Sequence, residues 1–260
     1  MIRIGALISG TGSNLEAVRQ ACEAGEIDGK IVFAGADKPS AKGLAKAEKA
    51  GVPTFEVDYA SIIKTFKTSF EKFSLPPDFD INQVVAKSRL FEGGVPTDEE
   101  IDFFRIRAAA EAGLLSHMAA YSFDLLILAG FMRKLTPYFI DRVNTDPAVP
   151  RIMNIHPALL PSFPGTDGYG DTWRYGCKVG GCTVHFVDYG EDTGPIIGQK
   201  AFPITPSDTL ETVKEKGLHL EWQLYPECIR LFAEGRLKVT TRPYGRAAGE
   251  SRERRVVNIS

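Results

Sequence analysis

The stretch IRIGALISGTGSNL, residues 2–15, decides the fold. An apolar run from 2 to 8 is broken at once by Gly10 and Gly12, and a helical pattern starts at 14. That order of buried strand, tight glycine loop and helix opens a βαβ unit, and the glycines arrive too early for a signal-peptide apolar region. In a parallel α/β sheet such a loop is where ligand binds. Gly10 and Gly12 allow close backbone approach, with Thr11, Ser13 and Asn14 around them, and the free N–H groups and dipole of the helix start favour an anion. Leu15 stands where a dinucleotide fingerprint needs its third glycine, and no Gly-Lys-Ser/Thr ending follows. A phosphate monoester is therefore expected here rather than NAD or ATP. The alternative is a tight turn with a helix cap.

Working outward, the sequence predicts a strand over 30–35, a helix over 40–50 and a strand over 52–57. The segment from about 58 to 100, with Pro76, Pro77 and Pro96 and irregular aromatics, reads as an insertion of helices and loop. A helix over 97–121 should start in a capping box, Thr97 with Glu100. Leu125 to Ala129 is continuously apolar, as in a strand buried on both faces. Further strands are expected over 151–155, 182–187 and 196–202, then a helix from 207 to 234 capped by Ser207 and Gly235. The expected fold is α/β: a Rossmann-like parallel-sheet half, about 1–145, continuing into a mixed sheet over about 146–240. Together these form one domain, 1–240. Residues 241–260, rich in Arg, Gly and Ser, read as a loosely held tail.

The 260 residues are 43% hydrophobic and 25% charged, enough for a sizeable core. A formal net charge of -2 provides no field for nucleic acid, and no apolar run reaches the roughly 18 residues of a membrane span. Cys22, Cys177, Cys182 and Cys228 are scattered, as free thiols of a cytoplasmic protein would be. No His/Asp/Glu cluster has metal-ligand spacing, so no metal is expected. Monomer and homodimer both remain open.

Asn154 and His156 are two apart at a strand end, so their side chains point to one side. Pro157 stops the strand, leaving them at a sheet edge facing a cleft. An amide beside a protonated imidazole suits attack of an amine on an acyl carbon, because both donate to the developing oxyanion. Asp192, in the turn Gly190 to Pro195, can bring a carboxylate there, raise the imidazole pKa and relay the proton the amine loses. His185, inside an apolar run, reads as structural, and His117 and His219 as surface or packing residues.

Four stretches together resemble the folate-dependent formyltransferases: Ile8 to Leu15, Leu128-Ala129-Gly130-Phe131-Met132-Arg133, Asn154-Ile155-His156-Pro157-Ala158-Leu159-Leu160-Pro161, and Val184-His185-Phe186-Val187 running to Asp192-Thr193-Gly194-Pro195. Ser9 to Leu15 is similar to the branch that formylates glycinamide ribonucleotide in purine synthesis, with 10-formyltetrahydrofolate as donor co-substrate. The resemblance implies catalytic roles for Asn154, His156 and Asp192, and a ribose phosphate at Gly12, Ser13 and Asn14. It implies a folate pocket lined by Phe131, Met132, Arg133, Lys134 and Leu135 with Tyr189, Gly190 and Glu191, and acceptor-amine binding by Glu221. Spacing alone would leave Glu221 an exposed helix charge.

The chain departs from the family at Thr166-Asp167, where a histidine is usual, followed by Gly168-Tyr169-Gly170-Asp171-Thr172-Trp173. The insertion displaces the segment that supplies a phosphate-binding arginine, for which Arg105 or Arg107 stands in. Another amine acceptor, such as hydroxyornithine or an amino sugar, is the alternative activity. Formyltetrahydrofolate hydrolysis is disfavoured because no regulatory domain precedes the first strand, and transfer to an initiator tRNA because no basic C-terminal domain is present.

Overall fold

The computed structural model describes residues 1–91, 93–146, 148–244 and 252–260. Strands β1 (Ile2–Ile8), β2 (Gly29–Ala36), β3 (Thr54–Glu56), β4 (Leu125–Leu128) and β5 (Ile152–His156) are parallel. Strands β6 (Val179–Phe186) and β7 (Ile196–Pro203) continue the sheet antiparallel, in the order β3-β2-β1-β4-β5-β6-β7. The parallel half passing into a mixed sheet is the arrangement read from the sequence.

Both faces of the sheet are covered, which is why its strands are continuously apolar. Ile4, Ala6, Ile8, Leu125 and Ile127 pack with helices α1 (Ser13–Glu23), α2 (Lys42–Lys49) and α8 (Leu210–Ala233). Leu7, Leu126, Leu128 and Ile152 pack on the other side with α5 (Asp98–Met118) and α6 (Pro137–Val143). The Thr97–Glu100 capping box starts α5 as expected. The chain runs outward in opposite directions from β1 and β4, so the loops after them border a crevice. Two bonds join those loops: Ser9 N–H donates to the Gly130 carbonyl at 3.0 Å, and Met132 N–H to Ser9 Oγ at 2.8 Å.

The insertion forms α3 (Tyr59–Thr68), a 3-10 turn at Phe70–Lys72 and α4 (Ile81–Lys87). Asp58 and Asp80 cap the two helices, each accepting two backbone N–H groups. The irregular aromatics have a local cause. Phe66, Phe70 and Phe73 pack on one another, while Val84 joins Phe104, Ala108 and Tyr138 in a satellite core. Past α4, Arg89 N–H donates to the Tyr189 carbonyl at 2.9 Å, and Arg89 pairs with Gly190 as an isolated β-bridge. The insertion thus reaches the turn that carries Asp192.

Three local expectations change. The cap of α8 is Thr209, in a reciprocal pair with Thr212, rather than Ser207. The unusual stretch after Asp167 is a helix, α7 (Gly168–Arg174), whose two glycines hid it from propensity. Tertiary contacts form it, with Tyr169 buried against Phe202 and Val213. The end of the chain pairs in an antiparallel hairpin, β8 (Leu237–Tyr244) with β9 (Arg252–Ile259), and Val239 and Val257 pack against the core. Charge composition masked this strand because its ladder is made by backbone; residues 245–251 lie outside the described ones.

Candidate active site

Asn154 and His156 sit at the C-terminal end of β5, which is an interior strand between β4 and β6 rather than a sheet edge. Their side chains share a side, as the period of two requires, and meet Asp192 from the β6–β7 connection. Asp192 Oδ2 lies 3.2 Å from His156 Nδ1 and accepts the Gly165 N–H at 2.9 Å, and Oδ1 lies 3.5 Å from Asn154 Nδ2. His156 Nε2 donates to the Phe163 carbonyl at 2.8 Å.

The imidazole pKa differs from expectation. Burial at 2% exposure holds His156 below the ordinary imidazole range, outweighing the opposite pull of Asp192. Burial pushes the Asp192 carboxyl upward, but the facing side chains of His185 and His156 and the Gly165 N–H together hold it below the usual carboxylate range. At neutral pH the pair is thus a neutral imidazole beside a carboxylate. With the Nε2 hydrogen on Phe163, the Nδ1 lone pair faces Asp192 and is the vacant position for a proton.

His185, read from the sequence as structural, belongs to this cluster. It stands opposite Asn154 in the β5–β6 register, and its Nε2 is 3.2 Å from Asn154 Nδ2 and 3.5 Å from Asp192 Oδ1. Its Nδ1 faces the Phe186 carbonyl at 2.9 Å and must donate, which leaves Nε2 to accept from the Asn154 amide. His185 therefore fixes which way the Asn154 amide points. Its alternation with Phe186 along β6 was the available signal, since it places the histidine on the site face.

Gly10, Thr11, Gly12, Ser13, Asn14 and Glu221 line one cleft of about 650 Å³, a size suited to a small molecule. Gly12 has φ 69° and lies 3.0 Å, measured from a Cβ it lacks, from the Gly43 Cα, so both its backbone conformation and its contact demand glycine. No side chain caps the start of α1, so the N–H groups of its first turn face the cleft without a built-in partner. Glu221 is buried, not exposed: its two oxygens accept from Asn14 Nδ2 and Tyr169 Oη, each at 2.6 Å. Burial raises its carboxyl above the usual range while those bonds oppose the shift.

Arg107 is not brought to this cleft. Its guanidinium lies over Tyr59 and Phe103, 5.4 and 5.0 Å from the ring centroids, with Nε and Nη1 buried and unpartnered. Arg105 pairs with Asp102. Besides Arg133, which pairs with Asp37, the cations on this cleft are Lys38 and Lys214, which the sequence reading missed. Lys214 precedes Glu221 by two helical turns, and that spacing would have placed both on one face.

A second cleft adjoins the first and shares Gly130, Met132, Arg133, Ile155, Pro157 and Thr166 with it. It is lined by Phe131, Met132, Arg133, Lys134, Leu135, Gly190 and Glu191, with Asn154, His156 and Asp192 at its inner end and Leu90 of the insertion on its wall. Lys134 and Glu191 pair at 2.6 Å, and Arg133 holds the buried Asp37 at 2.5 Å. Tyr189 is turned into a neighbouring cleft, its hydroxyl donating to Asp141 at 2.5 Å. Among the described residues no group of three His, Cys, Asp or Glu side chains could hold a metal ion, and no helix is long and apolar enough to cross a membrane.

The sequence model described as Formyl transferase matches residues 2–229. A phosphoribosylglycinamide formyltransferase of Bacillus subtilis is 32% identical over 88% of this chain and 94% of its own length. The trifunctional purine biosynthetic protein adenosine-3 of Bos taurus is 32% identical over 91% of this chain, which spans 19% of that longer protein. The crystal structure of glycinamide ribonucleotide transformylase 1 from Symbiobacterium toebii superimposes with a TM-score of 0.69 at 36% identity, covering 100% of this chain and 94% of that one.

Proposed function

Because the chain belongs to the formyl transferase family, we propose that it is a phosphoribosylglycinamide formyltransferase, moving a formyl group from 10-formyltetrahydrofolate to the amine of glycinamide ribonucleotide in purine synthesis. The observation that carries this reading is the junction of the two clefts. Asn154, His156 and Asp192 line the cleft between Phe131–Leu135 and the turn at Gly190–Asp192, next to Ile155, Pro157 and Thr166, which that cleft shares with the cleft of the β1 loop.

The acceptor phosphate takes the uncapped N–H groups of Gly12, Ser13 and Asn14, with Lys38 and Lys214 as nearby cations. Glu221 faces the amine-bearing part of the acceptor. Arg107 is left out of the phosphate site, and Tyr189 out of the donor wall, where Leu90 joins instead.

In the reaction the amine nitrogen attacks the formyl carbon. Asn154 Nδ2–H donates to the oxygen as it gains charge, with the imidazole of His156 beside it in its neutral form. The proton leaving the amine is held between Asp192 Oδ2 and His156 Nδ1. It is returned to the donor nitrogen as the bond from that nitrogen to the formyl carbon breaks. The products are the formylated amide and tetrahydrofolate. The buried, free thiols Cys182 and Cys228 suit the reducing cytoplasm in which such substrates would be met.

The test is a formyl-transfer assay with 10-formyltetrahydrofolate and a panel of amines. Activity on glycinamide ribonucleotide well above hydroxyornithine and amino sugars is expected, and activity confined to another amine would overturn the assignment.

A further inference from the structure

We propose that Tyr169 is a positioning residue for acceptor recognition: through its hydroxyl, and together with Asn14, it fixes the Glu221 carboxylate in the acceptor cleft. The inference rests on the assignment of that cleft to the acceptor.

Glu221 is 5% exposed, and each of its oxygens is held by a donor from a different element. Asn14 Nδ2 comes from the first turn of α1, behind the glycine loop, and Tyr169 Oη from α7, both at 2.6 Å. Bonds this short to a carboxylate are the strong, charge-assisted kind. Neither oxygen can rotate without breaking one of them.

The tyrosine ring is itself confined. Gly217, one turn before Glu221 on α8, leaves a slot for it, since a Cβ there would lie 2.1 Å from the ring Cζ. Phe202 and Val213 close the sides. The start of α7 is seated on the catalytic strand's exit: a Cβ on Gly168 would lie 2.7 Å from the Pro157 carbonyl. The residues that made this stretch look anomalous, Gly168, Tyr169 and Gly170, thus set one aromatic hydroxyl between His156-Pro157 and Glu221.

The cleft wall that results is rich in acceptors. Asn14 spends its amide hydrogen on Glu221 and keeps a buried Oδ1 with no partner. An acceptor offering O–H or N–H groups would satisfy that oxygen and the carboxylate together. The groups facing Glu221 are Asn14 from α1, Tyr169 from α7, Cys182 from β6 and Tyr225 from α8 itself, with Lys214 on the same cleft. Among the described residues, Asn14 and Tyr169 are the two that donate hydrogen bonds to it.

Tyr169→Phe keeps the ring in the Gly217 slot and removes only the hydroxyl, so the melting temperature should stay close to that of the native protein. The acceptor KM should rise about tenfold, as expected for one lost bond to a charged group, with kcat changed less than threefold and the donor KM unchanged. Because that bond opposes the effect of burial on Glu221, the pH at which the acceptor KM begins to climb on acidification should move upward. Glu221→Gln is measured beside it. If Glu221→Gln raises the acceptor KM and Tyr169→Phe changes neither that KM nor its pH dependence, the positioning role is overturned and the acceptor assignment stands. If Glu221→Gln leaves the acceptor KM unchanged, both are overturned.

Discussion

Phe163 and Asp192 contact the two different ring nitrogens of His156, and both hold left-handed backbone with φ of 54°. Among the described residues they are the two non-glycine positions with positive φ. Such conformations cost about 1–3 kcal/mol each and persist only where their surroundings over-determine them. The imidazole is thus oriented by two strained backbone segments, one supplying a carbonyl and the other a carboxylate.

Asp192→Asn is the informative change at this pair, because asparagine tolerates left-handed backbone and removes only the charge. It should lower kcat by about a hundredfold or more with both KM values nearly kept, and His156→Ala should do the same. In the native enzyme kcat should fall as pH drops through the His156 ionisation, below the ordinary imidazole value, because Nδ1 is then already protonated. Steady-state kinetics between pH 5 and 8 check both points; unchanged turnover in either variant removes that residue from the mechanism.

His185→Phe should lower kcat by about tenfold or more while leaving acceptor and donor KM close to native, because the Asn154 amide loses the acceptor that orients it. A variant that folds normally and turns over at the native rate would show that Asn154 is held by other means.

Replacing Ser13 and Asn14 together with alanine should raise the acceptor KM about tenfold or more, and Lys214→Met should raise it by a smaller factor, since it removes charge at the cleft without altering the loop. The donor KM should be indifferent to all three changes. An acceptor KM that responds to none of them would show that the Ser13 and Asn14 side chains and the Lys214 charge do not contribute to acceptor binding.

Glu111 links pH to stability away from the site. Burial pushes its carboxyl up to about 8, against the Thr136 N–H and Oγ–H that bond it. The folded state therefore keeps a proton that the unfolded chain releases near about 4.3. The stability this supplies is present below that lower value and is lost as pH rises through about 8. Urea unfolding should show the native protein losing on the order of 1 kcal/mol per pH unit over this window relative to Glu111→Gln. Parallel stability curves for the two proteins would refute it.

Much of the fold was legible because its signals are local. The glycine loop after β1, the Thr97–Glu100 box and the apolar run at 125–128 each declare themselves within a few residues. Asn154 and His156 could be paired for the same reason. What stayed hidden depends on contacts across long separations. Tyr169 becomes helical because Gly217 and Phe202 accept its ring, and His185 reaches the site because β6 runs antiparallel to β5 in one particular register. The His156 pKa could not be anticipated because the carboxylate was visible in the sequence whereas the burial that outweighs it was not.

The position of β5 carries a consequence of a different kind. One neighbour runs with it and the other against it, and beyond the rim they share at Gly130, Met132, Arg133, Ile155, Pro157 and Thr166 the two clefts that meet there draw on separately connected lengths of chain. The loop after β1, with α7 and α8, furnishes one, and the loop after β4, with the β6–β7 turn and the tip of the insertion, furnishes most of the other. Selection can therefore revise one substrate's preference by loop exchange while the partner's preference is inherited intact.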